Sequence, residues 1–219
     1  EDKIDIRIEL SGLTLIAKCW HEVLAYRPAP IQVSWIGYPN TTGLDCIDYR
    51  ITDKVCDPED STQIYSEELV RLPTCFISIP RPKLMDVPLA LEPAMKTNGH
   101  VTFGSFNIVA KHSPSCQRLW GRILEQVPES KLLLKDLSWL QKKAQEEWLE
   151  RFVKTAVDPK SPSFNMKSYA KMRQRVIQKA YAHDYTDHCR LYEQFDVMLD
   201  SFPYSGTITS AEALLMGVP

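Results

Sequence analysis

The sequence lacks any apolar run long enough to cross a membrane. Runs of aliphatic residues such as 132–134 and 213–216 are far shorter than the roughly 20 residues that a membrane-spanning helix needs. A strong net charge is missing as well, since 26 Lys and Arg nearly balance 28 Asp and Glu, for a formal net charge of −2. Dedicated nucleic-acid binders are usually basic, so this balance disfavours that class of protein.

Charge is nevertheless uneven along the chain. Residues 131–179 contain twelve Lys or Arg and five Asp or Glu, an excess of seven positive charges. Two interpretations remain open, namely a solvated helical face and a surface that attracts an anionic partner or substrate.

Closely spaced pairs of cysteines are also absent. The six cysteines, at positions 19, 46, 56, 75, 116 and 189, form no CxxC pair and no zinc-binding spacing. Disulfide frameworks are typical of small secreted domains, whereas a chain of 219 residues can bury a core without one. We therefore expect reduced cysteines, an intracellular protein and no metal centre.

The first 53 residues alternate between strand and helix patterns. Period-two patterning predicts a strand over residues 4–10, and residues 16–26 can form a helix that ends before Pro28. Two further strands are predicted over residues 31–37 and 47–53. Such alternation favours a parallel sheet covered by helices, which is an α/β fold.

A second α/β unit is predicted after a proline-rich stretch. Residues 73–99 hold few periodic apolar positions, so we predict a linker or surface excursion there. A strand follows over residues 101–106. Ser113 is then a predicted N-cap, and Pro114 a first-turn proline, for a helix that runs to Val127.

The remaining elements are predicted from the same signals. Residues 131–135 are a predicted strand, and the next helix is expected to bury a face of residues four apart, namely Leu140, Ala144, Trp148 and Phe152. A helix over residues 166–180, a strand over 196–200 and a helix over 210–216 complete the pattern.

The last strand passes through a turn directly into the last helix. Thr207 and Thr209 lie where unsatisfied backbone N–H groups and the positive end of the helix dipole meet. Phosphate or sugar oxygens are favoured at such a junction, so we predict a nucleotide pocket there. Thr209 and Glu212 also have the spacing of a capping box, and the two interpretations can coexist.

The ends of the chain suggest a piece of a larger protein. It begins without Met on a strand-like run and stops at Gly217-Val218-Pro219, where a helix would lead into another strand. We therefore expect the chain to be the middle of a longer polypeptide.

Several motifs, in order along the chain, carry a resemblance to a known family. They are residues 27–43 (RPAPIQVSWIGYPNTTG), 48–53 (DYRITD), 101–107 (VTFGSFN) with Lys111, 191–204 (LYEQFDVMLDSFPY) and 206–219 (GTITSAEALLMGVP). On these residues the chain resembles the catalytic region of the protein O-GlcNAc transferase and SPINDLY family, with Asn40 slightly closer to the SPINDLY branch. Ordered matches over nearly the whole chain are far more specific than a lone glycine motif.

The resemblance implies the GT-B arrangement, in which a nucleotide sugar binds between two Rossmann-like lobes. Residues 1–95 would be the end of the N-terminal lobe with a linker, and residues 99–219 the first half of the C-terminal, donor-binding lobe. It further implies inverting transfer of GlcNAc or fucose, from UDP-GlcNAc or GDP-fucose, to Ser or Thr hydroxyls of cytoplasmic or nuclear proteins. No cofactor or metal is implied, and helical (TPR) repeats are expected ahead of the catalytic region.

The same comparison assigns roles to individual residues. Lys111 would be the catalytic residue, because its ammonium would stabilise the diphosphate leaving group as negative charge develops. His188 corresponds to a histidine that contacts the donor. Thr207 and Thr209 would present hydroxyls and N–H groups to the phosphates, and Glu212 would accept hydrogen bonds from ribose hydroxyls. The competing interpretations are a solvated lysine, a structural histidine and simple helix capping.

A loop in the first half is a further candidate. Tyr38, Pro39, Thr41 and Thr42 follow a predicted strand, and we expect them to face the cleft with two hydroxyls available for polar contacts. Turn formation alone would also explain these residue types.

Three positions depart from the family pattern. Leu13, Ile108 and Ile208 each place an aliphatic side chain where relatives often carry a polar one. A family segment with a further active-site histidine is absent from the chain, so we expect this stretch by itself to be inactive. Three hypotheses follow: part of a glycosyltransferase, a catalytically degenerate relative that binds proteins, or another two-lobed nucleotide-binding enzyme. The length of the motif match favours the first.

Overall fold

The structure is a computed structural model that describes residues 3–12, 21–79, 89–90, 92–157, 166–180, 182 and 184–219. The chain divides into two compact units, Glu1–Ser78 and Ile79–Pro219. Each unit contains a four-stranded parallel sheet, which confirms the predicted α/β class. The assignment of residues 1–95 and 99–219 to two lobes of a longer protein stays a prediction, and Leu13 lies outside the described residues.

The first unit is a sheet of consecutive strands. Its spatial order follows the chain: β1 (Ile6–Glu9), β2 (Ile31–Ser34), β3 (Tyr49–Asp53) and β4 (Glu68–Leu72). A short helix, α1 (His21–Ala25), precedes β2. The sequence pattern missed β4, because this strand lies at the edge of the sheet and has no fully buried residue, which weakens its apolar signal.

The second unit has a different strand order. β5 (Thr102–Ser105) and β6 (Lys131–Lys135) pair in the middle of the sheet, with β7 (Val176–Lys179) beside β6 and β8 (Val197–Met198) beside β5. The helices are α2 (Ala94–Asn98), α3 (Pro114–Gln126), α4 (Lys142–Ala156), α5 (Met166–Gln174), α6 (Tyr185–Arg190) and α7 (Ile208–Leu215). Among the described residues of this unit, short 3-10 turns cover Val109–Lys111, Leu137–Leu140 and Leu191–Gln194.

Local capping signals identified α3 correctly. The Ser113 hydroxyl accepts a hydrogen bond from the backbone N–H of Cys116 at 3.1 Å, and Pro114 is the first helical residue. The N–H groups of the first helical turn have no acceptor within the helix. Proline lacks this group, so it loses no hydrogen bond at the first helical position.

The helix predicted over residues 166–180 is wrong in its second half. α5 ends at Gln174, and the next residues form β7, in which Val176 and Ile177 lie opposite Leu132 and Leu133 of β6. β-branched side chains favour a strand that has a partner to pair with, and this partner comes from a distant part of the chain.

Three smaller predictions also need correction. α2 lies inside the stretch predicted as a linker. Leu140 does not join the buried face of α4, because it ends a 3-10 turn and is 58% exposed, whereas Trp148 and Phe152 are buried. The last helix starts at Ile208, two residues earlier than predicted.

The strand β6 separates two hydrophobic clusters. Leu132 and Leu134 belong to one, with residues of α3 and α4 such as Trp120 and Trp148. Leu133 belongs to the other, whose members include Phe106, Cys189, Tyr192, Phe195, Ala213 and Met216. Alternating leucines of β6 therefore pack against helices on both faces of the sheet.

Candidate functional site

The strand order of the second unit marks a place for a ligand. The chain passes from β5 to β6 and β7 on one side of β5, then returns to place β8 on the other side. In open α/β sheets, ligands bind at the carboxyl ends of the strands where the order reverses in this way. Here that place lies between the loop after β5, which holds Lys111, and the loop after β8, which leads to α7.

A hydrogen-bonded clamp joins these two loops. Oδ1 of Asp200 accepts hydrogen bonds from Asn107 Nδ2 at 2.8 Å and from the backbone N–H groups of Ser201 and Gly206 at 2.8 and 2.7 Å. Asn107 in turn accepts a bond from the Thr209 hydroxyl through its Oδ1 at 2.9 Å. The loop after β8 and the first turn of α7 are therefore held against the end of β5.

Gly206 is required by this clamp. A Cβ atom at position 206 would lie 2.5 Å from Ser210 Oγ, 2.6 Å from Asn107 Oδ1 and 2.9 Å from Asp200 Oδ1. Real Cβ atoms do not approach other heavy atoms so closely, so a side chain would force the clamp apart. The absence of a side chain at Gly206 lets the backbone approach the clamp before α7 begins.

Lys111 reaches across to the same loop. Its Nζ donates a hydrogen bond to the backbone carbonyl of Ser205 at 2.9 Å and lies 4.3 Å from the centre of the Tyr204 ring. Burial lowers the pKa of Lys111, and the charge of Asp200 partly offsets this effect. The structure thus places Lys111 against the loop that precedes Thr207, and their roles in a shared site stay a prediction.

The start of α7 differs from the predicted capping box. Thr207 is the N-cap residue, without a side-chain capping hydrogen bond, and Thr209 lies inside the helix with its hydroxyl bonded to Asn107. The Thr209–Glu212 capping box is therefore wrong. Ile208 is 44% exposed at this helix end, so the position that interrupts the threonine run points an apolar group toward solvent.

Glu212 is buried within a network of donors. Its carboxylate accepts hydrogen bonds from Tyr185 Oη at 3.0 Å, His188 Nε2 at 2.9 Å and Tyr192 Oη at 3.0 Å. Burial acts to raise the pKa of Glu212, but the bonds from His188 and the two tyrosines outweigh it and the pKa is lowered. The predicted contact with a ribose stays a prediction, and it would have to be made by oxygens that already have three donors.

Lys135 completes this network and was not found from the sequence. Its Nζ is hydrogen-bonded to Nδ1 of His188 and lies 5.0 Å from the centre of the Phe106 ring. Burial lowers the pKa of Lys135 to about 8. The available signal was a lysine at the carboxyl end of a strand of three consecutive leucines, where a charged group faces the ligand edge of the sheet.

The predicted cleft loop in the first unit uses its hydroxyls internally. Thr41 Oγ1 donates to Glu67 Oε2 at 2.7 Å, the Thr42 backbone N–H donates to Glu67 Oε1 at 2.7 Å, and the Thr42 hydroxyl also bonds to Oε1. Glu67 is buried, and although burial acts to raise its pKa, these bonds outweigh it and the pKa is lowered. Tyr38 packs against Gly12, where a Cβ would lie 2.2 Å from the Tyr38 Cβ. The orientation of Tyr38, Pro39, Thr41 and Thr42 toward a cleft stays a prediction.

Among the described residues, no helix is long and apolar enough to cross a membrane. No group of three or more His, Cys, Asp or Glu side chains in that part of the chain is arranged to hold a metal ion.

Several cations of the basic stretch form exposed ion pairs with nearby carboxylates, and neither interpretation of the stretch is excluded by them. Within the described part of residues 131–179, Lys143, Lys154, Lys171 and Arg173 form ion pairs with Glu147, Glu150, Glu129 and Glu146, respectively. Such exposed pairs contribute little to stability. Three of the four carboxylates lie within the stretch and are already counted there, so only the pair with Glu129 lowers the excess of seven positive charges.

Comparison with protein families gives a match in the first part of the chain. The model for glycosyl transferase family 41 matches residues 1–85. Over its whole length the chain is 43% identical to "Probable UDP-N-acetylglucosamine--peptide N-acetylglucosaminyltransferase SPINDLY" from Oryza sativa subsp. japonica, and equally to the Arabidopsis thaliana protein of that name. It is 34% identical to the Arabidopsis thaliana protein of the same printed description but called SEC. The chain spans about a fifth of these relatives, 22% of the rice protein and 21% of SEC.

A solved structure shares the fold. A mutant of the O-GlcNAc transferase of Thermobaculum terrenum matches 99% of this chain with a TM-score of 0.80 and 30% sequence identity, and the match covers 37% of that protein. This similarity confirms the predicted GT-B fold class.

Proposed function

We propose that this chain, as a member of glycosyl transferase family 41, forms part of the donor-binding machinery of an enzyme that transfers a sugar from a nucleotide to a protein. The observation that carries the proposal is the convergence of Lys111, the clamped loop after β8 and the N-terminus of α7 at the reversal of strand order. These groups offer positive charge and backbone donors, which is what a diphosphate requires.

In the proposed site the diphosphate lies at the start of α7. Backbone N–H groups of the first helical turn, which have no acceptor within a helix, would bind phosphate oxygens together with Thr207. The Lys111 ammonium would exchange its bond to the Ser205 carbonyl for one to the departing phosphate. Burial strengthens such a charge contact because less water screens it, and the contact becomes stronger as the glycosidic bond breaks and charge builds up.

His188 would contact the nucleoside part of the donor through its ring face. Both of its ring nitrogens already have partners, Lys135 and Glu212, so they are not available to a ligand. Thr209 would act by holding Asn107 rather than by touching the phosphates. We propose no metal or cofactor in this reaction, with Ser or Thr hydroxyls of proteins as acceptors, inversion at the transferred sugar, and action in the cytoplasm or nucleus.

Two donors remain as alternatives, UDP-GlcNAc and GDP-fucose. Lys111, Thr207 and the first turn of α7 would bind the diphosphate, which both donors contain, and thus would not distinguish them. Incubating the longer protein with each radiolabelled donor and a cell extract as acceptor, followed by peptide identification, would identify both the sugar and the modified residue.

The test of the proposal is the transfer rate of the longer protein with Lys111→Ala. Loss of a charged contact to the leaving group should slow transfer about tenfold to a thousandfold. Lys96→Ala is the matched control, because Lys96 is exposed and paired only with Glu92 on the surface. Equal activity of wild type and Lys111→Ala would exclude the assigned role, and the absence of any sugar-nucleotide binding would exclude the function.

A degenerate, protein-binding relative is the second candidate. It is favoured by two apolar side chains at the site, since Ile108 and Ile208 are 38% and 44% exposed beside Lys111 and the start of α7. Binding of UDP or GDP without measurable transfer of sugar to any acceptor would support this candidate over the first.

A further inference from the structure

A buried row of three ionisable side chains crosses the second hydrophobic cluster. Lys135 comes from the end of β6, His188 from α6 and Glu212 from α7. Lys135 and Glu212 are 6% and 4% exposed, and the His188 side chain is 13% exposed. Burying such groups is unfavourable unless each finds a partner, so their mutual contacts are a condition of this arrangement.

The hydrogen-bonding capacity of the two outer groups determines the proton position on the middle one. An ammonium can only donate, so Nδ1 of His188 must accept the bond from Lys135 through its lone pair. An ionised carboxylate can only accept, so Nε2 of His188 must carry the proton that is donated to Glu212. The row therefore reads Lys⁺, neutral His with the proton on Nε2, and Glu⁻.

Three aromatic rings lie beside the histidine. The ring centres of Phe106, Tyr185 and Tyr192 lie 5.7, 6.0 and 5.5 Å from that of His188. Tyr185 and Tyr192 also donate to Glu212, which keeps the carboxylate ionised and its oxygens occupied. Rotation of the imidazole would break bonds at both ends at once, so ring position and protonation state are linked.

We propose that Lys135 is a positioning residue, which holds His188 in its neutral form with the ring proton on Nε2 and the ring fixed toward Glu212. Without the ammonium, Nδ1 would be free to take up a second proton, and His188 and Glu212 would become an imidazolium–carboxylate pair.

The ammonium can perform this role near neutral pH. Burial lowers the pKa of Lys135 to about 8, so most molecules still carry the charge at pH 7. Glu212 and Asp136 are the carboxylates whose charges act on it, and both favour the charged form of Lys135. Cys189 would act in the same direction only as a thiolate, and burial raises the pKa of its thiol. Tyr185 and Tyr192 face Glu212 as neutral donors, since burial and the carboxylate both raise their pKa values.

The link to donor binding rests on the proposed function. If the face of His188 contacts the nucleoside, a displaced or charged imidazole would weaken donor binding while leaving the later chemical step at Lys111 unaffected. We expect Lys135→Met to raise the KM for the donor about tenfold, the effect of losing one charged hydrogen bond, with kcat little changed.

The test uses the longer protein labelled with ¹⁵N-histidine and no donor. His188→Gln identifies the His188 signals by their loss. The ¹⁵N spectrum then reports directly which ring nitrogen carries a proton. In the wild type we expect a protonated Nε2 and an unprotonated Nδ1. In Lys135→Met we expect Nδ1 to gain a proton at neutral pH.

Two control variants separate this role from general stability. Lys135→Arg keeps a cationic donor and should keep the wild-type signals. Lys131→Met changes the lysine at the other end of the same strand, outside the network, and should also do so. Wild-type His188 with a proton on Nδ1, or an unchanged spectrum in Lys135→Met, would overturn the proposal.

The outcome is independent of catalysis and of the folding of one variant. If Lys135→Met does not fold, the wild-type and Lys135→Arg spectra still test the predicted tautomer, and Lys135→Gln replaces the charge with a neutral donor. If the wild type has the expected tautomer but binds neither UDP nor GDP, the role of Lys135 is supported and the proposed function is excluded. If Lys135→Met binds the donor normally although the protonation of the His188 ring is changed, the proposed function is retained and the link between Lys135 and donor affinity is excluded.

Discussion

The ammonium of Lys111 donates a hydrogen bond to the backbone carbonyl of Ser205, although 94 residues separate them along the chain. This bond joins the loop after β5 to the loop that leads into α7. A positive charge is thereby held beside the positive end of a helix dipole, where an anion would be bound by both. A phosphate oxygen can replace the Ser205 carbonyl as the acceptor of the hydrogen bond from Lys111.

Gly206→Ala should disrupt the clamp between these loops. The new Cβ would meet Ser210 Oγ at 2.5 Å and Asn107 Oδ1 at 2.6 Å, so the loop would have to move. We expect a loss of about 1–3 kcal/mol in the free energy of unfolding, measured by urea denaturation, together with weaker binding of UDP or GDP. The exposed neighbour change Ser205→Ala keeps the backbone carbonyl and should shift stability by less than about 0.5 kcal/mol.

The Asn107–Thr209 hydrogen bond should be measurable as a coupling. In a double-mutant cycle of Asn107→Ala and Thr209→Val, we expect the two effects on unfolding to be non-additive by about 0.5–1.5 kcal/mol, because the side chains share one bond at 2.9 Å. Additive effects would show that this contact is not formed in solution. Pairing Asn107→Ala with Leu140→Ala, which lies on the surface, serves as the uncoupled reference.

Asp57 should make the protein sensitive to acid. Burial acts to raise the pKa of Asp57, but hydrogen bonds from Thr52 and Tyr65 and the charge of Arg50 outweigh it, so the folded-state pKa lies below the ordinary value of 3.8. A lowered folded-state pKa contributes stability that is complete above pH 3.8 and is lost as the pH falls below it toward the folded-state pKa.

The measurement is the difference in unfolding free energy between wild type and Asp57→Asn as the pH falls. At neutral pH the variant should be less stable by about 3–5 kcal/mol, because Arg50 stays buried without its counter-charge. The difference should shrink in acid. Glu59→Gln removes only an exposed pair with Lys54, so its free energy of unfolding should lie close to that of wild type at every pH.

Trp148→Ala should be among the costliest core substitutions. Trp148 is 2% exposed and stacks on Phe152 with ring centres 5.1 Å apart. We expect a loss of about 3–5 kcal/mol in the free energy of unfolding, because the cavity cannot close fully. Leu140→Ala is the control, since the sequence pattern places it on the same helix face. If Leu140→Ala lowered the free energy of unfolding as much as Trp148→Ala, this would contradict the 58% exposure of Leu140.

The amino-acid sequence by itself determined the features that depend on near neighbours. The strands around residues 31–34, 102–105 and 131–135, the Ser113 cap and the motif order were recognisable because period, caps and motifs are local. The motifs also predicted that Lys111 and the start of α7 share a site; Lys111 contacts Ser205 in the loop before α7, and the shared site stays a prediction.

Tertiary structure decided which polar groups have partners. Lys135 and His188 are 53 residues apart, and Thr41 and Glu67 are 26 apart, so no local pattern reveals either contact. The same holds for β7, which became a strand because β6 was available to pair with it. A side chain's hydrogen bonds depend on what the folded chain places beside it, and this is why the buried row was found only in three dimensions.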